Sequence, residues 1–340
     1  MIDCIITLDY EIYGNGEGSL KKLVYEPAER MKAIFYRWNA RFVIFIEAAE
    51  LEMIETNGTD QAIDLVKHQL RDFHNKGFEL GLHLHPQWYN ARYENDKWRL
   101  DYDEYNLCAL SRDRIKKVVN RSIGYLRRLL GLEDFTPFSF RAGNWLFQPT
   151  GGLSRVLAEC GTRVDTSVFK GGLLRHHRLD YRRALKNSYW WPFMDDVTKP
   201  DLQGNLVEFP VYTKMVPLWK LFTPKQIGIQ GKGPQKFRAG KDWLFHHLYS
   251  MTLRYPQKFD FCRMTINQLK HTLDEEIKED QKNPGLYRPI VAIGHTKDLI
   301  DYETVESLLC YLRRLGIGIS TFREAYRKVK ILREKADGRE

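Results

Sequence analysis

The sequence of 340 residues predicts an α/β protein, with a parallel sheet covered by helices and either open or closed into a barrel. Two observations lead to this prediction. Strand-like runs of β-branched and aromatic residues alternate with stretches that carry an apolar stripe at helical spacing. Polar residues also collect where several of these strands end, which is typical of parallel α/β folds.

The strands are predicted from short apolar runs, in chain order. They are residues 2–11, 41–47, 78–85, 163–168, 206–211, 289–295 and 317–321. Helices are predicted between and after them, from Glu26 onward, at 60–76, at 111–130, from Thr265 onward, at 302–315 and at 322–334. Pro27 suits a first helical turn, Gly77 and Gly131 suit helix ends, and Thr265 with Gln268 forms a capping-box pattern.

The composition is that of an ordinary soluble globular protein, with 43% hydrophobic and 29% charged residues. It excludes intrinsic disorder, collagen-like repeats and a bundle of membrane helices. The five cysteines are widely spaced and form no Cys-x-x-Cys pair, so we expect reduced thiols. The sequence also starts without a secretory signal pattern, and a cytoplasmic location is therefore expected.

We expect one barrel domain over residues 1–322 and a solvated C-terminal helix or tail over residues 323–340. Within the domain, residues 213–241 read as a basic insertion, with seven Lys or Arg, no acidic residue and several Pro and Gly. Two interpretations remain open for this insertion. It is either a solvated loop or a surface that holds an anionic substrate or a membrane headgroup layer.

The first predicted strand ends with two acidic residues on one face. Alternate residues of a strand point to the same side, so Thr7, Asp9 and Glu11 share a face. Two carboxylates stacked at the end of a buried strand repel each other and lose hydration, which is costly unless a cation lies between them. The alternative is that the strand has ended by Asp9 and that both acids are solvated.

A second strand ends in two histidines. His83 and His85 project from the face opposite the leucines of this strand. One histidine at such a place is more often a hydrogen-bonded core residue than a ligand, but two beside a strand with two carboxylates favour a metal. Two imidazoles, one carboxylate and an open position for water form the ligand set of hydrolytic zinc sites.

Three further places supply candidate residues. His295 ends a strand and precedes a helix, so it occupies the matching position at the same edge of the sheet. Arg141 lies in a turn whose Gly143 permits close approach of the backbone, and Asp165 ends another strand. Taken singly, Arg141 and Asp165 are more often members of structural ion pairs than catalytic groups.

The order of these motifs resembles that of the polysaccharide deacetylase family, the nodulation-type metal-dependent carbohydrate esterases. The matching segments follow the family's order and span most of the chain. They are residues 7–11, 81–86, 140–145, 164–167 and 293–295. Within the family, the chain resembles a branch found in bacterial cell-surface polysaccharide gene clusters, through residues 9–16, 83–88 and 140–149.

This resemblance implies a distorted (β/α) barrel that removes an acetyl group from an N-acetylated sugar. It implies that Asp9 is the general base, that Arg141 orients it, and that His295 is the general acid, tuned by Asp165. It also implies one divalent metal ion held by a carboxylate and two histidines. Zinc is the first expectation, with cobalt, nickel or iron as alternatives.

The substrate would meet further residues of these motifs. By the same resemblance, the turn at Gly143 and Asn144 would offer a backbone N–H to the oxyanion. The aromatic side chains of Trp88 and Trp145 suit stacking against a sugar face, although aromatic residues in such numbers are mostly core and rim.

Two departures from the family pattern affect the metal site. The family has adjacent aspartates in its first motif, and the second binds the metal; Tyr10 stands at that place here, so Glu11 takes the role. The family's histidines lie four residues apart, whereas here they lie two apart and Gln87 occupies the later position. Either both His83 and His85 bind the metal, or one of them only supports the ligands, or the site has lost its metal.

The resemblance therefore implies a metal-dependent carbohydrate de-N-acetylase of O-antigen, capsule or exopolysaccharide biosynthesis, expected in the cytoplasm or at the inner face of the membrane. Its substrate would be an N-acetylated sugar, linked to a nucleotide or a lipid diphosphate, with the basic insertion contacting phosphate or membrane. The alternative is a catalytically decayed member that binds carbohydrate. Specific nucleic-acid binding is disfavoured, because the sequence shows no recognisable binding module and its charge is concentrated in one insertion.

Overall fold

The computed structural model describes residues 1–217, Lys225 and residues 254–336. Most of the predicted basic insertion lies outside the described residues, as do the last four residues of the predicted C-terminal segment. The two lysines of the insertion that are described both have carboxylate partners. Lys214 pairs with Glu275, and Lys225 lies 2.9 Å from Asp301.

A curled and mostly parallel sheet forms the centre of the molecule. Its strands in chain order are β1 (Ile2–Tyr10), β2 (Val43–Glu47), β3 (Glu79–Leu84), β6 (Ser139–Ala142), β7 (Val164–Asp165), β10 (Trp191–Phe193), β11 (Leu206–Glu208), β14 (Arg288–His295) and β15 (Gly318–Ile319). Their order in space is β10-β11-β7-β6-β3-β2-β1-β14, and β15 also pairs with β1. Of these pairings, that of β10 with β11 is antiparallel.

The described residues also form three two-stranded antiparallel sheets that stand apart from the central sheet. They are β4 (Arg92–Glu94) with β5 (Lys97–Arg99), β8 (Leu173–Leu174) with β9 (Leu179–Asp180), and β12 (Thr213–Pro217) with β13 (Arg254–Lys258). Short helical turns connect other elements, at Lys21–Tyr25, Pro86–Trp88, Tyr102–Glu104, Leu107–Ala109, Gly143–Trp145, Arg175–His177 and Thr296–Asp298.

The chain that follows β11 joins the two sides of the sheet. Val211 forms a parallel bridge with Val291 of β14. The N–H of Tyr212 donates to the carbonyl of Val291 at 3.0 Å, and the N–H of Val211 donates to the carbonyl of Val168 at 2.8 Å. The sheet therefore curls back on itself, which is consistent with the predicted distorted barrel.

Alternation along β1 separates the inside of the curled sheet from the outside. Ile6 and Leu8 belong to the large core cluster that includes the apolar faces of the helices. Ile5 instead packs in a smaller cluster with Phe45 and Val291. Since side chains two residues apart share a face, Asp9 points to the same inner side as Ile5.

Within residues 1–217 and 254–336 there are eight α-helices. They are α1 (Glu26–Arg37), α2 (Ala48–Asn57), α3 (Ile63–Asn75), α4 (Arg112–Leu130), α5 (Gly151–Glu159), α6 (Ile266–Lys282), α7 (Tyr302–Arg314) and α8 (Phe322–Ala336). The predicted capping box of Thr265 and Gln268 opens α6, and Gly131 ends α4 in the left-handed region. None of the eight has both the length and the apolar character that crossing a membrane requires.

Helices α2 and α5 and strand β6 are among the elements that were not predicted. Helix α2 is apolar or buried on most sides, so it has no stripe, and its N-cap is Glu47 rather than one of the usual capping residues. Helix α5 begins with two glycines, which are poor helix formers. Strand β6 has four residues and was predicted to be part of a turn.

The C-terminal segment, predicted to be solvated, is packed along one face of its helix. Phe322 and Ala325 are fully buried, and Val329 is nearly so. The ring of Phe322 lies with its centroid 6.0 Å from that of Phe45 and 5.7 Å from that of Phe209, inside the smaller cluster. The expectation of a solvated helix is therefore wrong for this face, because it covers the apolar inner side of the sheet.

We expect Phe322→Ala to lower the free energy of unfolding by about 3–5 kcal/mol, because it removes a fully buried ring from this cluster. Denaturant unfolding followed by circular dichroism measures the change. Lys330→Ala, on the exposed side of the same helix, is the matched control and should shift stability by about 0.5 kcal/mol or less. Equally small effects for both variants would contradict the assignment of α8 to the core.

Candidate active site

The candidate residues meet at the carboxyl ends of five neighbouring strands, β6, β3, β2, β1 and β14. Asp9 of β1 lies directly opposite His295 of β14 in the parallel ladder. On the other side, His83 of β3 lies opposite Glu47 of β2 and Arg141 of β6. The sheet register therefore places these five side chains at adjacent positions.

Arg141 is fully buried and bonds to β1. Its Nη1 donates to Asp9 Oδ1 at 2.5 Å and its Nη2 to the hydroxyl of Thr7 at 2.9 Å. Its Nε donates to the carbonyl of Thr166 at 3.3 Å, and the guanidinium carbon lies 4.2 Å from the centroid of the Phe45 ring. A buried charge requires such partners, and together they fix the orientation of the Asp9 carboxylate.

Two glycines of the predicted motifs allow close packing here. A Cβ at Gly81 would lie 2.6 Å from the ring of Phe45, so this position must stay empty for the ring that supports Arg141. A Cβ at Gly143 would lie 2.5 Å from the carbonyl oxygen of Leu84 and 2.8 Å from the ring of His85. The close backbone approach predicted for Gly143 is therefore present.

Glu11, His83 and His85 form a buried cluster of potential metal ligands. Glu11 Oε2 lies 3.2 Å from His85 Nε2 and 3.6 Å from His83 Nε2. Ligand atoms bound to zinc at 2.0–2.1 Å in a tetrahedral site lie about 3.4 Å apart. The other oxygen of Glu11 lies 2.7 Å from the ammonium of Lys297, so one carboxylate oxygen is left to face the histidines.

The hydrogen bonds of the two imidazoles also suit a metal. His83 Nδ1 lies 2.9 Å from the carbonyl oxygen of Arg141 and donates to it, which leaves Nε2 facing Glu11. His85 Nδ1 lies 3.3 Å from the side-chain amide of Gln87, whose Oε1 is buried without a partner in the described structure. Rotation of the Gln87 amide by 180° would let its Oε1 accept a hydrogen bond from Nδ1–H of His85. The unprotonated Nε2 of His85 would then be free to bind a metal.

The charges around Glu11 compensate one another. Burial acts to raise the pKa of Glu11, but Lys297 and the two histidines outweigh it and hold the pKa well below its usual value. Burial acts to lower the pKa of Lys297, and Glu11 raises it above the ordinary lysine value. Glu11 and Lys297 are therefore an ion pair in the largely buried interior.

The two histidines differ in charge. Burial acts to lower the pKa of His83, but Asp9, Glu11 and Glu47 together raise it to about 9. Burial lowers the pKa of His85, and the neighbouring charges do not restore it. Near pH 7 and without a metal, His83 is thus an imidazolium and His85 is neutral.

Glu47 also belongs to the site, although the sequence patterns did not predict it as a site residue. It ends β2 and caps α2, with Oε1 accepting from the N–H groups of Ala49 at 3.2 Å and Glu50 at 3.4 Å. Its Oε2 accepts from the N–H of His85 at 2.6 Å, and burial raises its pKa to about 8. Glu47 therefore positions the backbone of a candidate ligand. Lys297, also missed, lies two residues after His295.

His295 faces Asp9 from the opposite side to Arg141. Its Nε2 lies 3.4 Å from Asp9 Oδ2. Burial lowers the pKa of His295, although the Asp9 carboxylate acts to raise it, so the ring is neutral near pH 7. Its Nδ1 is buried and makes no hydrogen bond to a described residue.

Asp165 does not lie beside His295. Its carboxylate accepts from the hydroxyl of Ser167 at 2.7 Å and from the N–H of Ser167 at 3.1 Å. Burial raises the pKa of Asp165, and burial together with the nearby Asp165 carboxylate raises the pKa of Glu208. No ion pair within 4 Å joins Asp165 to His295 in the described part of the chain, so the expected tuning contact is absent there. Asp165 instead lies in a buried carboxyl pair.

The two predicted aromatic contacts have different surroundings. Trp88 is 1% exposed and packs edge to face against Trp98, with an angle of 73° between the ring planes, so the expectation that it stacks on a sugar is wrong. Trp145 is half-buried and borders a cavity of about 180 Å³ that also contains His295. Asn144 and Trp145 both have positive φ values, of 54° and 66°, and such backbone strain is concentrated at functional sites.

The fold is shared with solved structures at low sequence identity. A candidate polysaccharide deacetylase from Mycobacterium smegmatis is 14% identical, over 97% of this chain and 91% of that chain, with a TM-score of 0.51. A GH57-type branching enzyme from Pyrococcus horikoshii is 11% identical, over 95% of this chain and 69% of that chain, with a TM-score of 0.53. A GH57 branching enzyme from Thermococcus kodakaraensis is 12% identical, over 96% and 70%, with a TM-score of 0.51.

No family model and no curated protein sequence matches the chain. The likeness to solved structures therefore establishes the fold, and that fold occurs in proteins with different chemistry. The chemistry of the side chains in the site therefore decides which function fits this chain.

We expect metal binding near pH 7 to release about one proton, because His83 Nε2 must lose its proton to become a ligand. The affinity should rise about tenfold per pH unit from pH 6 to 8 and level off above pH 9. Titration of zinc or cobalt into chelator-treated protein, by calorimetry in buffers of different ionisation enthalpy, measures both quantities.

The double variant Glu11→Ala, His83→Ala is the control for this titration and should bind no metal, as checked by elemental analysis. Metal binding by the unmodified protein with an affinity independent of pH would show that His83 is not a ligand.

Proposed function

We propose that this protein is a metal-dependent hydrolase that removes the acetyl group from an N-acetylated sugar. The observation that carries the proposal is the placement of two imidazoles and one carboxylate, Glu11, His83 and His85, directly beside the Asp9–His295 pair. A metal-ligand cluster next to a carboxylate and an imidazole is the arrangement that hydrolysis of an amide requires. The Mycobacterium smegmatis protein of the same fold supports the choice of deacetylation.

The same fold in GH57 branching enzymes raises glycoside chemistry as the other reaction to consider. That chemistry uses two carboxyl groups, one of which must be available as a proton donor. Here Asp9 is bound by Arg141, and Glu11 is held as a carboxylate by Lys297. Glu11 is thus not available as that proton donor and instead faces two imidazoles, which favours hydrolysis with a metal.

Glu11, His83 and His85 would hold the metal, which when bound lowers the pKa of a water and polarises a carbonyl group. Asp9 accepts the proton of the attacking water, and Arg141 keeps its carboxylate in place. The turn at Gly143 and Asn144 would offer a backbone N–H to the developing oxyanion. Trp145 lies at the edge of the cavity, where a sugar ring would pack.

His295 delivers a proton to the leaving nitrogen. Its ring is neutral near pH 7, because burial lowers its pKa, so it must gain that proton during the reaction. Asp9 is the source, since its Oδ2 lies 3.4 Å from His295 Nε2. The proton removed from the water is therefore passed from Asp9 through His295 to the amine. In this arrangement Asp165 has no direct contact with His295. It acts only through its electrostatic interaction with Arg141.

The biological setting is part of the proposal. The motif resemblance points to biosynthesis of a cell-surface polysaccharide, with an N-acetylated sugar carried on a nucleotide or lipid diphosphate at the inner face of the membrane. Zinc is the first candidate metal, because the cluster offers two imidazoles and one carboxylate.

We expect Asp9→Asn to lower kcat for deacetylation by about 10²–10⁴, because the amide cannot accept the water's proton. Metal content and substrate affinity should stay close to those of the unmodified protein, as measured by elemental analysis and calorimetry. Release of acetate from N-acetylated sugars measures the rate.

Asp3→Asn is the matched control, since Asp3 lies on the same face of β1 at the opposite end, bonded to Tyr287 at 2.8 Å. It should lower stability while leaving the rate constant of acetate release unchanged. An Asp9→Asn protein with a near-normal rate would exclude Asp9 as the base.

A further inference from the structure

A lysine borders the candidate active site from outside the motifs. Lys258 ends β13 and lines the cavity of about 180 Å³ together with Trp145 and His295. His295 faces Asp9 with one nitrogen, so this cavity opens beside the reacting groups. Whatever part of a substrate extends from the amide into the cavity will meet Lys258.

The ammonium of Lys258 has no anionic partner among the described residues. It lies 4.2 Å from the ring centroid of Phe169 and 4.9 Å from that of Trp145, and the side chain is half-buried. No described carboxylate or carbonyl oxygen lies within hydrogen-bonding distance of its Nζ. Aromatic faces compensate a cation only in part, so the site favours an incoming anion.

The other charges of the cavity are already paired with each other. Arg263 lies 3.4 Å from Asp260 and 2.9 Å from Asp298. Asp260 also accepts from the N–H groups of Cys262 at 2.9 Å and of Arg263 at 3.2 Å. Among the described residues that line the cavity, Lys258 is the one whose charge has no ion-pair partner within 4 Å.

A second half-buried lysine, Lys170, has hydrogen-bond acceptors in addition to aromatic neighbours. Lys170 lies 5.8 Å from the ring centroids of Tyr189 and Trp191. Its ammonium also donates to the carbonyl oxygens of Lys186, at 3.2 Å, and of Ser188. Lys170 therefore has protein acceptors as well as aromatic faces, whereas Lys258 has the faces alone.

We propose that Lys258 binds an anionic group of the substrate, a carboxylate or phosphate carried by the N-acetylated sugar, in the cavity beside His295. This inference rests on the proposed function and names the class of sugar that the enzyme takes. Two kinds of sugar carry this chemistry, a uronic acid and a sugar phosphate. A phosphate next to the sugar is also the first group of a nucleotide- or lipid-diphosphate carrier.

The experiment measures binding with the Asp9→Asn protein, so that no probe is consumed. The three probes are N-acetylglucosamine, its 1-phosphate and its uronic acid. We expect at least one anionic probe to bind about tenfold or more tightly than the neutral sugar. Which anion binds more tightly distinguishes the sugar phosphate from the uronic acid.

Three further substitutions, each made in the Asp9→Asn protein, assign the preference to Lys258. Lys258→Met should reduce the affinity for the anionic probe to that for the neutral sugar, while Lys258→Arg should retain most of the preference. Lys170→Met is the matched control and should leave it intact. Equal affinities for all probes before substitution, or a preference that survives Lys258→Met, would overturn the proposal.

The pH dependence provides a second readout. Burial lowers the pKa of Lys258 to about 8, with Asp260 acting to raise it and Arg263 to lower it, and His295 is the other titratable group lining the cavity. The preference for the anion should decline above pH 8, where Lys258 loses its proton. A preference unchanged up to pH 10 would contradict the proposal.

Failure of this inference and failure of the proposed function give different results. Release of acetate from the neutral sugar without any anion preference would leave the deacetylase and remove the anion site. An anion preference that depends on Lys258, in a protein that releases no acetate from any probe, would leave the binding site and remove the deacetylase.

Discussion

Two carboxylates on one inner face of a buried strand are the constraint around which this site is built. Asp9 and Glu11 are too close and too dehydrated to remain charged without cations. The fold provides a separate cation for each, Arg141 from β6 and Lys297 from the turn after β14. Because each cation comes from a different part of the chain, the two ion pairs depend on the register of the whole curled sheet. The histidines then occupy the space that remains around the free oxygen of Glu11.

Local rules were sufficient to find most of the site residues but not their partners. Strand alternation places Asp9 and Glu11 on one face from sequence alone, and the preference for strand ends identifies His83 and His295. Glu47 and Lys297 also stand at or just after strand ends, so the same rule could have found them. What it could not show is that Glu47 accepts from the backbone of His85 or that Asp165 bonds to Ser167 rather than to His295, because such contacts depend on register and on the path of loops.

In the fold as well, elements with a clear local pattern were predictable, and elements that depend on tertiary packing were not. Helices with an apolar stripe, such as α4, were predictable because one face packs and the other is solvated. Helix α2 is enclosed on most sides, and α5 starts with glycines, so tertiary packing stabilises both against weak local signals. The burial of Phe322 could not be read from a helix rich in charged residues, because the surface it covers is formed by distant strands. The exposure of an aromatic residue such as Trp88 likewise depends on its neighbours in space.

The pairing of β1 with β14 has a consequence for biosynthesis of the chain itself. Strand β1 is synthesised long before its partner β14, yet Asp9 and His295 stand opposite each other in the ladder. Until β14 is made, an apolar strand lacks one of its neighbours, and such contacts between distant segments form slowly. Asp9 and His295 thus come together only after the long segment between them has been synthesised, so a chain that stops before β14 contains Asp9 without the imidazole beside it. Assembly of the candidate site is therefore a late event in the folding of this sheet.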